Sequence, residues 1–190
     1  MPAEKQDRLP PIPMGELTPE QRRAAETLAR GPRGAVFGPF IPLLRSPELL
    51  DRAQRLGEYL RYESAIPQRL RELAILLTAR HFRQPYEWHV HAPAALRAGL
   101  AQQTVEAIAA GRRPPLAADE ATVYDFCTEL NGGHAVSDAT YGAALELLAE
   151  GGVIDLCGLC GYYGLLALVM NAARTPLPDG AAAPWTDSQD

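Results

Sequence analysis

Apolar residues recur at helical spacing along most of the chain, and no segment alternates apolar and polar residues for long enough to predict a strand. The clearest pattern follows Ser46, where apolar residues keep a period of about 3.6 as far as Leu60. Similar spacing predicts further helices over residues 67–83, 85–99, 104–110, 119–130, 137–149 and 153–171. The sequence therefore predicts an all-α fold.

Short polar motifs predict where these helices begin and end. Thr18–Gln21 has the form of a capping box with proline at the first helical position, and Ser46–Glu48 repeats this start without the returning glutamine. Pro85 ends one helix and can open the next, whereas Pro93 predicts a kink inside it. Helix breaks are predicted at Gly111–Pro115, Asn131–Gly133 and Gly151–Gly152.

Proline also marks the domain boundaries. Eight of the 17 prolines lie in residues 1–42 and three more follow Thr175, so the interior has few helix breakers. We predict an extended N-terminal lead over residues 1–15, a single helical domain over residues 16–174, and an extended or disordered tail over residues 175–190.

The last predicted helix, Ile154–Met170, is apolar nearly all round and has Gly158, Gly161 and Gly164 at intervals of three. A helix without a polar face must be covered on every side, which predicts a homo-oligomer. Its apolar run, Leu156–Met170, has 15 residues and is shorter than the roughly 20 that a membrane span requires. We therefore expect no membrane partner.

The composition excludes several kinds of chemistry. Lys5 is the only lysine, since the 18 basic residues are otherwise 17 arginines. Pyridoxal-phosphate enzymes, Schiff-base aldolases and lysine-containing phosphate loops all need a lysine inside the site, and a proline-rich lead is a poor place for one. The net charge of −5 leaves no basic footprint for nucleic acid.

The expected compartment is the cytoplasm. No charged lead precedes an apolar segment at the N-terminus, so we expect no secretory signal. Three cysteines are an odd number and do not suggest a disulfide framework.

The polar residues that could carry chemistry gather between Glu72 and His91. Glu87 and His91 are four residues apart and share a helix face, where a carboxylate can orient an imidazole. Glu72 lies on an apolar stripe, and a desolvated carboxyl can carry a proton. Because a turn at Gln84 lets the two helices fold back, the sequence predicts that these three residues form a general acid-base set.

Simpler interpretations exist for these and other residues. Glu87 and His91 could be an ordinary surface pair. His89 points away from their face, and Trp88 fits the core. His81 is expected to be solvated and His134 to lie in a loop. No metal motif is recognisable, so we expect no metal site.

Cys157 and Cys160 form a C-x-x-C motif, which is often a redox or metal signal. Here the motif lies inside the apolar helix rather than at a helix start near positive charge. Buried cysteine behaves as a small hydrophobe, so we expect core residues, with thiol chemistry as the alternative.

These motifs resemble those of the carboxymuconolactone decarboxylase family, which includes the alkyl hydroperoxidase D branch. The resemblance rests on Leu70–Leu76, on Tyr86–His91, and on the following Ala95 and Gly99, and it covers about residues 46–175. It implies an all-helical fold that assembles as dimers, trimers or hexamers. The peroxidase branch carries two cysteines in this region, but this chain has Gln84 and Glu87 at those positions.

The resemblance therefore implies a proton-transfer site without a redox centre, as in the decarboxylase branch. A carboxylate β to a carbonyl, or conjugated with one through a double bond, can lose CO₂ into that carbonyl, so no cofactor is expected. We expect His91 to protonate carbon, Glu87 to orient His91, and Glu72 to act as relay or base. Candidates for binding a carboxylated substrate are Arg61, Arg80 and Arg83.

The sequence thus predicts a cofactor-independent lyase acting on a small carboxylated lactone or keto acid. An isomerase, a hydratase or a cyclase could use the same three residues. Two further alternatives stay open: a hydroperoxide reductase working through Cys157 and Cys160, and a non-catalytic oligomeric binding protein.

Overall fold

The computed structural model describes residues 6–178 and 180–185, so Lys5 and the outer parts of the predicted lead and tail lie outside it. The described residues contain eight α-helices and no strand, which confirms the predicted all-α fold. The helices are α1 (Pro19–Arg30), α2 (Phe40–Leu43), α3 (Pro47–Glu58), α4 (Gln68–His81), α5 (Pro85–Arg97), α6 (Gln102–Ala109), α7 (Ala118–Gly133) and α8 (Asp138–Ala173).

Helix α4 is the centre of the fold and packs against α5, α6, α7 and α8. Apolar side chains point from nearly every face of its central part into these neighbours. Five of them are at most 1% exposed: Leu70, Leu73, Ala74, Ile75 and Leu76. Thr78 is also fully buried and satisfies its hydroxyl by donating to the carbonyl oxygen of Ala74 at 2.9 Å. The buried polar side chains of these two helices, Glu72 and Thr78 on α4 and Glu87 and His91 on α5, therefore lie against packed surface.

The two predicted helix starts differ in their capping. Thr18 forms the complete capping box at α1: its hydroxyl accepts from the amide of Gln21, whose side chain accepts from the amide of Thr18. Helix α3 begins at Pro47 as predicted, but Ser46 makes no capping hydrogen bond. The motif at Ser46 therefore predicted the position of the start but not its stabilising interaction.

A five-residue π-helical turn, Tyr59–Glu63, follows α3 and carries Arg61. Sequence periodicity did not predict it, because the apolar spacing continues smoothly to Leu60. Such turns are rare and occur frequently at functional sites. The short helix α2 and a 3₁₀ turn at Met14–Glu16 were also not predicted, because both lie in the proline-rich part of the chain.

The predicted breaks in the C-terminal half need correction. Helix α7 continues through Asn131–Gly133, and the chain leaves the helix at the next residue, His134, whose φ of 59° is left-handed. Helix α8 is interrupted at Ala149, where φ is 56° and ψ is 176°, and not at Gly151–Gly152. The glycines predicted to break these helices thus lie inside helical segments, and the backbone changes direction next to them.

Helix α8 is long and apolar enough to cross a membrane by length and hydropathy alone. However, 56% of its apolar window is buried inside the protein. The helix is therefore used, at least in large part, as a core helix. Near the end of the described chain, Trp185 returns to the body and meets Trp88 edge-on at 5.5 Å.

Candidate active site

The site is built on the hairpin between α4 and α5. At the turn, Arg83 has a left-handed φ of 52°, and the side chain of Gln84 caps α5 by accepting from the amide of Tyr86 at 2.7 Å. The Gln84 amide also donates to Asn171 of α8 at 2.9 Å, and Asn171 donates to the carbonyl oxygen of Phe82 at 2.9 Å. These bonds fix the hairpin against α8 and set which faces of α4 and α5 meet.

The predicted three residues meet between these helices. His91 Nδ1 lies 2.7 Å from Oε2 of Glu72, and His91 Nε2 lies 3.5 Å from Oε2 of Glu87. The side chains of all three are at most 7% exposed. The structure thus confirms their proximity and shows a buried imidazole between two carboxylates, not a surface pair.

The two carboxylates are not equivalent. The contact of Glu72 with His91 has ordinary hydrogen-bond length, whereas that of Glu87 is longer. Among the described residues, no hydrogen-bond partner is found for the buried Oε1 of Glu87. Glu72 therefore orients the imidazole, and Glu87 is the carboxylate with an oxygen left for another group.

Burial raises the pKa of the Glu87 carboxyl above its ordinary value. His91, Arg61 and Arg33 act in the opposite direction, because positive charge favours the ionised form. Since burial outweighs them, Glu87 keeps its proton to a higher pH than an exposed glutamate. This is the direction that suits a proton donor.

Two tyrosines of α8 cover the site. The ring of Tyr163 meets the His91 ring edge-on at 5.1 Å, and burial raises the pKa of Tyr163 well above its ordinary value. Burial also raises the pKa of Tyr162 to about 12. The hydroxyl of Tyr162 accepts from Arg33 at 3.1 Å, which holds this guanidinium beside the site.

Arg61 is the predicted arginine that the structure brings to the site. Burial would lower the pKa of its guanidinium, but the surrounding Tyr163, Tyr62 and the two glutamates raise it, so Arg61 stays charged. It lines a polar cavity of about 200 Å³ together with Glu72 and Arg71. It also lines a cavity of about 20 Å³ beside Glu87 and His91.

The smaller cavity has roughly the size that one water molecule needs. Arg33 lines it as well, and sequence reasoning missed this residue because it is distant from the other site residues along the chain. Tyr163 was missed for the same reason. The sequence offered only weak signals for these two site residues: Arg33 is a charged residue in a loop, and Tyr163 carries a polar hydroxyl within an apolar helix.

The other two predicted arginines lie elsewhere. Arg80 donates to the carbonyl oxygen of Ala109 at 3.1 Å and lies over the ring of Trp185. Arg83 occupies the left-handed position of the α4–α5 turn. In the described parts of the chain, neither arginine lines the cavity at Glu72 or the smaller cavity at Glu87 and His91.

Trp88 is buried as expected, while His81, His89 and His134 are exposed. Within residues 6–178 and 180–185, no group of three or more histidine, cysteine or acidic side chains is placed to hold a metal ion.

The cysteines form a group that the sequence did not predict. Cys160 is 4% exposed and its Sγ lies 3.6 Å from that of Cys127, a residue of α7 outside the C-x-x-C motif. Cys157 is partly exposed. The expectation that Cys157 and Cys160 are core residues thus fits Cys160 better than Cys157.

An all-helical domain with a buried Glu-His-Glu set invites comparison with known families. The model of the carboxymuconolactone decarboxylase family matches residues 47–124, which include Glu72, Glu87 and His91. The family resemblance predicted from the sequence is therefore confirmed over this region, although the match is shorter than the predicted 46–175. Comparison with curated proteins gives no significant match.

Two crystal structures share the fold. One is described as an alkylhydroperoxidase AhpD core, an uncharacterized peroxidase-related protein from Ralstonia eutropha JMP134. It has a TM-score of 0.73 and 16% sequence identity, and the alignment covers 90% of this chain and 92% of that one. The other, an uncharacterized peroxidase-related protein from Silicibacter sp. TM1040, has a TM-score of 0.72 and 16% identity, covering 94% and 96%. At this identity the similarity establishes the fold alone.

Proposed function

We propose that the protein is a cofactor-independent acid-base enzyme, and specifically a lyase that removes CO₂ from a small carboxylated lactone or keto acid. One observation carries the proposal: the imidazole of His91 is held between the buried carboxylates of Glu72 and Glu87. Such a set can move a proton to or from carbon in a place from which water is largely excluded.

The substrate class follows from what this set can and cannot do. A carboxylate β to a carbonyl, or conjugated with one through a double bond, loses CO₂ when the carbon–carboxylate bond breaks and its electron pair moves through the intervening carbons to the carbonyl oxygen. The substrate then supplies its own electron sink, so the protein need only stabilise the enolate and protonate carbon. A Schiff base is not needed, in keeping with Lys5 as the only lysine.

The geometry favours roles that differ from those expected from the sequence. Glu72, at hydrogen-bond distance, orients His91 in the proposed mechanism. Glu87 delivers the proton to carbon, because its carboxyl has a raised pKa and a buried oxygen without a partner in the described chain. His91 then passes a proton to Glu87 and takes one up from solvent, so that each CO₂ released consumes one proton.

Substrate binding is assigned to the space around Arg61. This guanidinium lines both cavities and so separates the larger one at Glu72 from the smaller one at Glu87. A carboxylate paired with Arg61 would lie next to both glutamates. Because the space beside Glu87 is only about 20 Å³, a substrate must displace side chains such as Arg33 or Phe37 to reach it.

The small volume of the cavity beside Glu87 favours a second candidate function, that of a non-catalytic binding protein. In that case the buried ion pairs would serve stability or assembly, and only the 200 Å³ cavity would hold a ligand. Oε1 of Glu87 has no hydrogen-bond partner among the described residues, which favours the enzyme, since a purely structural set would be expected to satisfy this oxygen.

Release of CO₂ tests the proposal. Purified protein is incubated with a panel of carboxylated lactones and β-keto acids, and CO₂ is measured together with substrate loss. His91→Gln should lower turnover by about 10²–10⁴-fold, whereas His89→Gln, an exposed histidine on the same helix, should not. Equal activity of His91→Gln and wild type would refute the proposal. Substrate loss without CO₂ would favour an isomerase, a hydratase or a cyclase.

We also propose that the chain forms a homo-oligomer. Helix α8 leaves Ile154 69% exposed and Leu168 55% exposed. Large apolar side chains of this kind are often covered in an assembly. Sedimentation equilibrium tests this, and a monomer at micromolar concentration would contradict it.

A further inference from the structure

Two buried polar atoms without a hydrogen-bond partner in the described chain belong to the same small cavity. These atoms are Oε1 of Glu87 and Nε of Arg33, and both side chains line the cavity of about 20 Å³ beside His91. Arg61 lines this cavity too, but within the described residues it contributes no such atom. Buried polar groups nearly always have a partner, so two exceptions at one place indicate a position for a bound polar atom.

Arg33 is fixed by contacts at the outer end of its guanidinium. One terminal nitrogen donates to the hydroxyl of Tyr162 at 3.1 Å, and the guanidinium carbon lies 4.6 Å from the centre of the Phe40 ring. The chain turns directly after Arg33, where the amide of Gly34 donates to the carbonyl oxygen of Gly31 at 3.2 Å. Gly34 has a left-handed φ of 75°, which glycine adopts without strain. The Nε–H group of Arg33 is therefore a donor that is held in place.

The surroundings of the cavity suit an oxygen that becomes negatively charged. Burial raises the pKa of Glu87, and the positive charges of His91, Arg61 and Arg33 act against it, so these charges reach the position beside Glu87. Other walls of the cavity are apolar and include Phe40, Val90 and Leu166. A donor fixed in such a place stabilises developing charge more strongly than a donor in water, because it need not reorganise when the charge appears.

We propose that the Nε–H group of Arg33 binds the carbonyl oxygen of the substrate and stabilises the enolate that forms there. The inference rests on the proposed loss of CO₂ and adds a catalytic residue to it. Arg33 precedes residues 47–124, the segment that the family model matches. The donor therefore comes from a part of this chain outside the shared region.

Each group has one task in the proposed step. The carbon–carboxylate bond breaks, CO₂ leaves, and the electron pair moves to the carbonyl oxygen, to which Arg33 donates. Glu87 then gives its proton to carbon and the carbonyl double bond re-forms, while Arg33 keeps all of its protons, as guanidinium groups in proteins do. In the enolate of a β-keto acid, the oxygen and the carbon that is protonated are two bonds apart. Their two donors must lie close together, as Arg33 and Glu87 do in lining one cavity.

Phe37 rather than Arg33 is expected to move when a substrate enters. Phe37 is partly exposed and meets Phe40 edge-on at 6.0 Å, an apolar contact that can be replaced by another. Arg33, by contrast, is bound to Tyr162 of α8. The donor thus stays in place while the entrance to the cavity widens.

Binding of fluoride tests the donor without any turnover. Fluoride is an anion close to a water molecule in size. It is titrated into isotope-labelled wild-type protein while the Nε–H signal of Arg33, assigned from the Arg33 backbone, is followed by NMR. The signal should shift until it saturates, whereas chloride, which is larger, should shift it less at the same ionic strength. Absence of a saturable shift would overturn the proposal, whether or not a substrate is known.

Kinetics test the same donor on a compound from which the wild type releases CO₂. Arg33→Gln removes the donor, and Arg33→Lys keeps the charge but lacks the fixed planar fork. Both should lower kcat by about 10²–10³-fold, as loss of a donor to an oxyanion does, with a much smaller change in KM. Arg30→Gln changes an exposed arginine of α1 and should leave both constants unchanged.

Tyr162→Phe separates the donor from its anchor. This variant loses the contact that holds the Arg33 guanidinium but keeps the Nε–H group, so kcat should fall much less than in Arg33→Gln. Equal losses in the two variants would show that Arg33 acts only by its bond to α8, and would overturn the proposal. Thermal unfolding of each variant checks the fold, and the fluoride titration of the wild type decides if a variant does not fold.

The two experiments distinguish this proposal from the function on which it rests. Saturable fluoride binding at Arg33 without CO₂ from any compound would contradict the lyase and still support an anion position at Arg33. Release of CO₂ that is unchanged in Arg33→Gln would contradict the role of Arg33 and leave the lyase standing.

Discussion

Glu72 on α4 and His91 on α5 form a buried hydrogen bond of 2.7 Å between Oε2 and Nδ1. The contact joins the two arms of the helical hairpin and leaves Nε2 directed towards Glu87. A carboxylate bound to one imidazole nitrogen fixes the tautomer and the orientation of the ring. This contact therefore determines which nitrogen of His91 can exchange a proton with Glu87.

Glu72→Gln should lower kcat by roughly 10²-fold or more with little change in KM, because the carboxylate that orients the His91 imidazole is lost. The downfield Nδ1 proton signal of His91 should be visible in the NMR spectrum of the wild type and absent from the variant. Glu106→Gln changes an exposed glutamate and is the control. An unchanged kcat would show that Glu72 does not position His91.

Glu87 should make stability fall as the pH rises. Its pKa is raised in the folded protein, so the proton bound to Glu87 stabilises the fold fully below the ordinary carboxyl pKa of 4.5. That contribution is lost as the pH rises through the folded pKa, by about 1.4 kcal/mol for each unit of elevation. Chemical denaturation between pH 4.5 and 8 should therefore show a smaller decline for Glu87→Gln than for the wild type. Parallel curves for the two proteins would contradict the burial effect.

Gly57 provides the space in which Arg33 and Tyr162 meet. A Cβ atom at this position would lie within 3.0 Å of both side chains. Gly57→Ala should cost about 1–3 kcal/mol of unfolding free energy, as overpacking does, and should lower activity by moving Arg33. Gly142→Ala is the matched control, since its Cβ would meet nothing within 4 Å. That helical substitution should be neutral or stabilise by up to about 1 kcal/mol. Equal effects of both changes would show that the space at Gly57 is not needed.

The parts of the site that the sequence predicted depend on local geometry. Glu87 and His91 are related by one helical turn, and Glu72 reaches them because Gln84 and Pro85 close a short hairpin. Helical periodicity and one turn signal suffice for both inferences. The same signals predicted the all-α fold and most of the helices.

The missed parts depend on packing between distant segments. Arg33 is held at the site by its hydrogen bond to Tyr162, which is 129 residues away in the sequence. Likewise, Cys127 of α7 contacts Cys160 of α8 only because these two helices pack together. Arg61 was a predicted candidate, but the π-helical turn that carries it leaves no periodic signal and was missed. Arg80 was predicted to bind substrate but does not reach the site. Its position on α4 did not reveal that its side chain donates to the carbonyl oxygen of Ala109.

The two predicted helix starts allow a direct test of what a capping motif contributes. Thr18 and Ser46 both precede a proline and a glutamate, but only the Thr18 side chain makes a capping hydrogen bond. Thr18→Ala should therefore lower the unfolding free energy by about 0.5–2 kcal/mol. Ser46→Ala should change it by less than about 0.5 kcal/mol, as substitutions that break no specific contact do. Urea denaturation of the two variants and the wild type measures both values. A larger loss for Ser46→Ala than for Thr18→Ala would show that Ser46 caps α3 in solution.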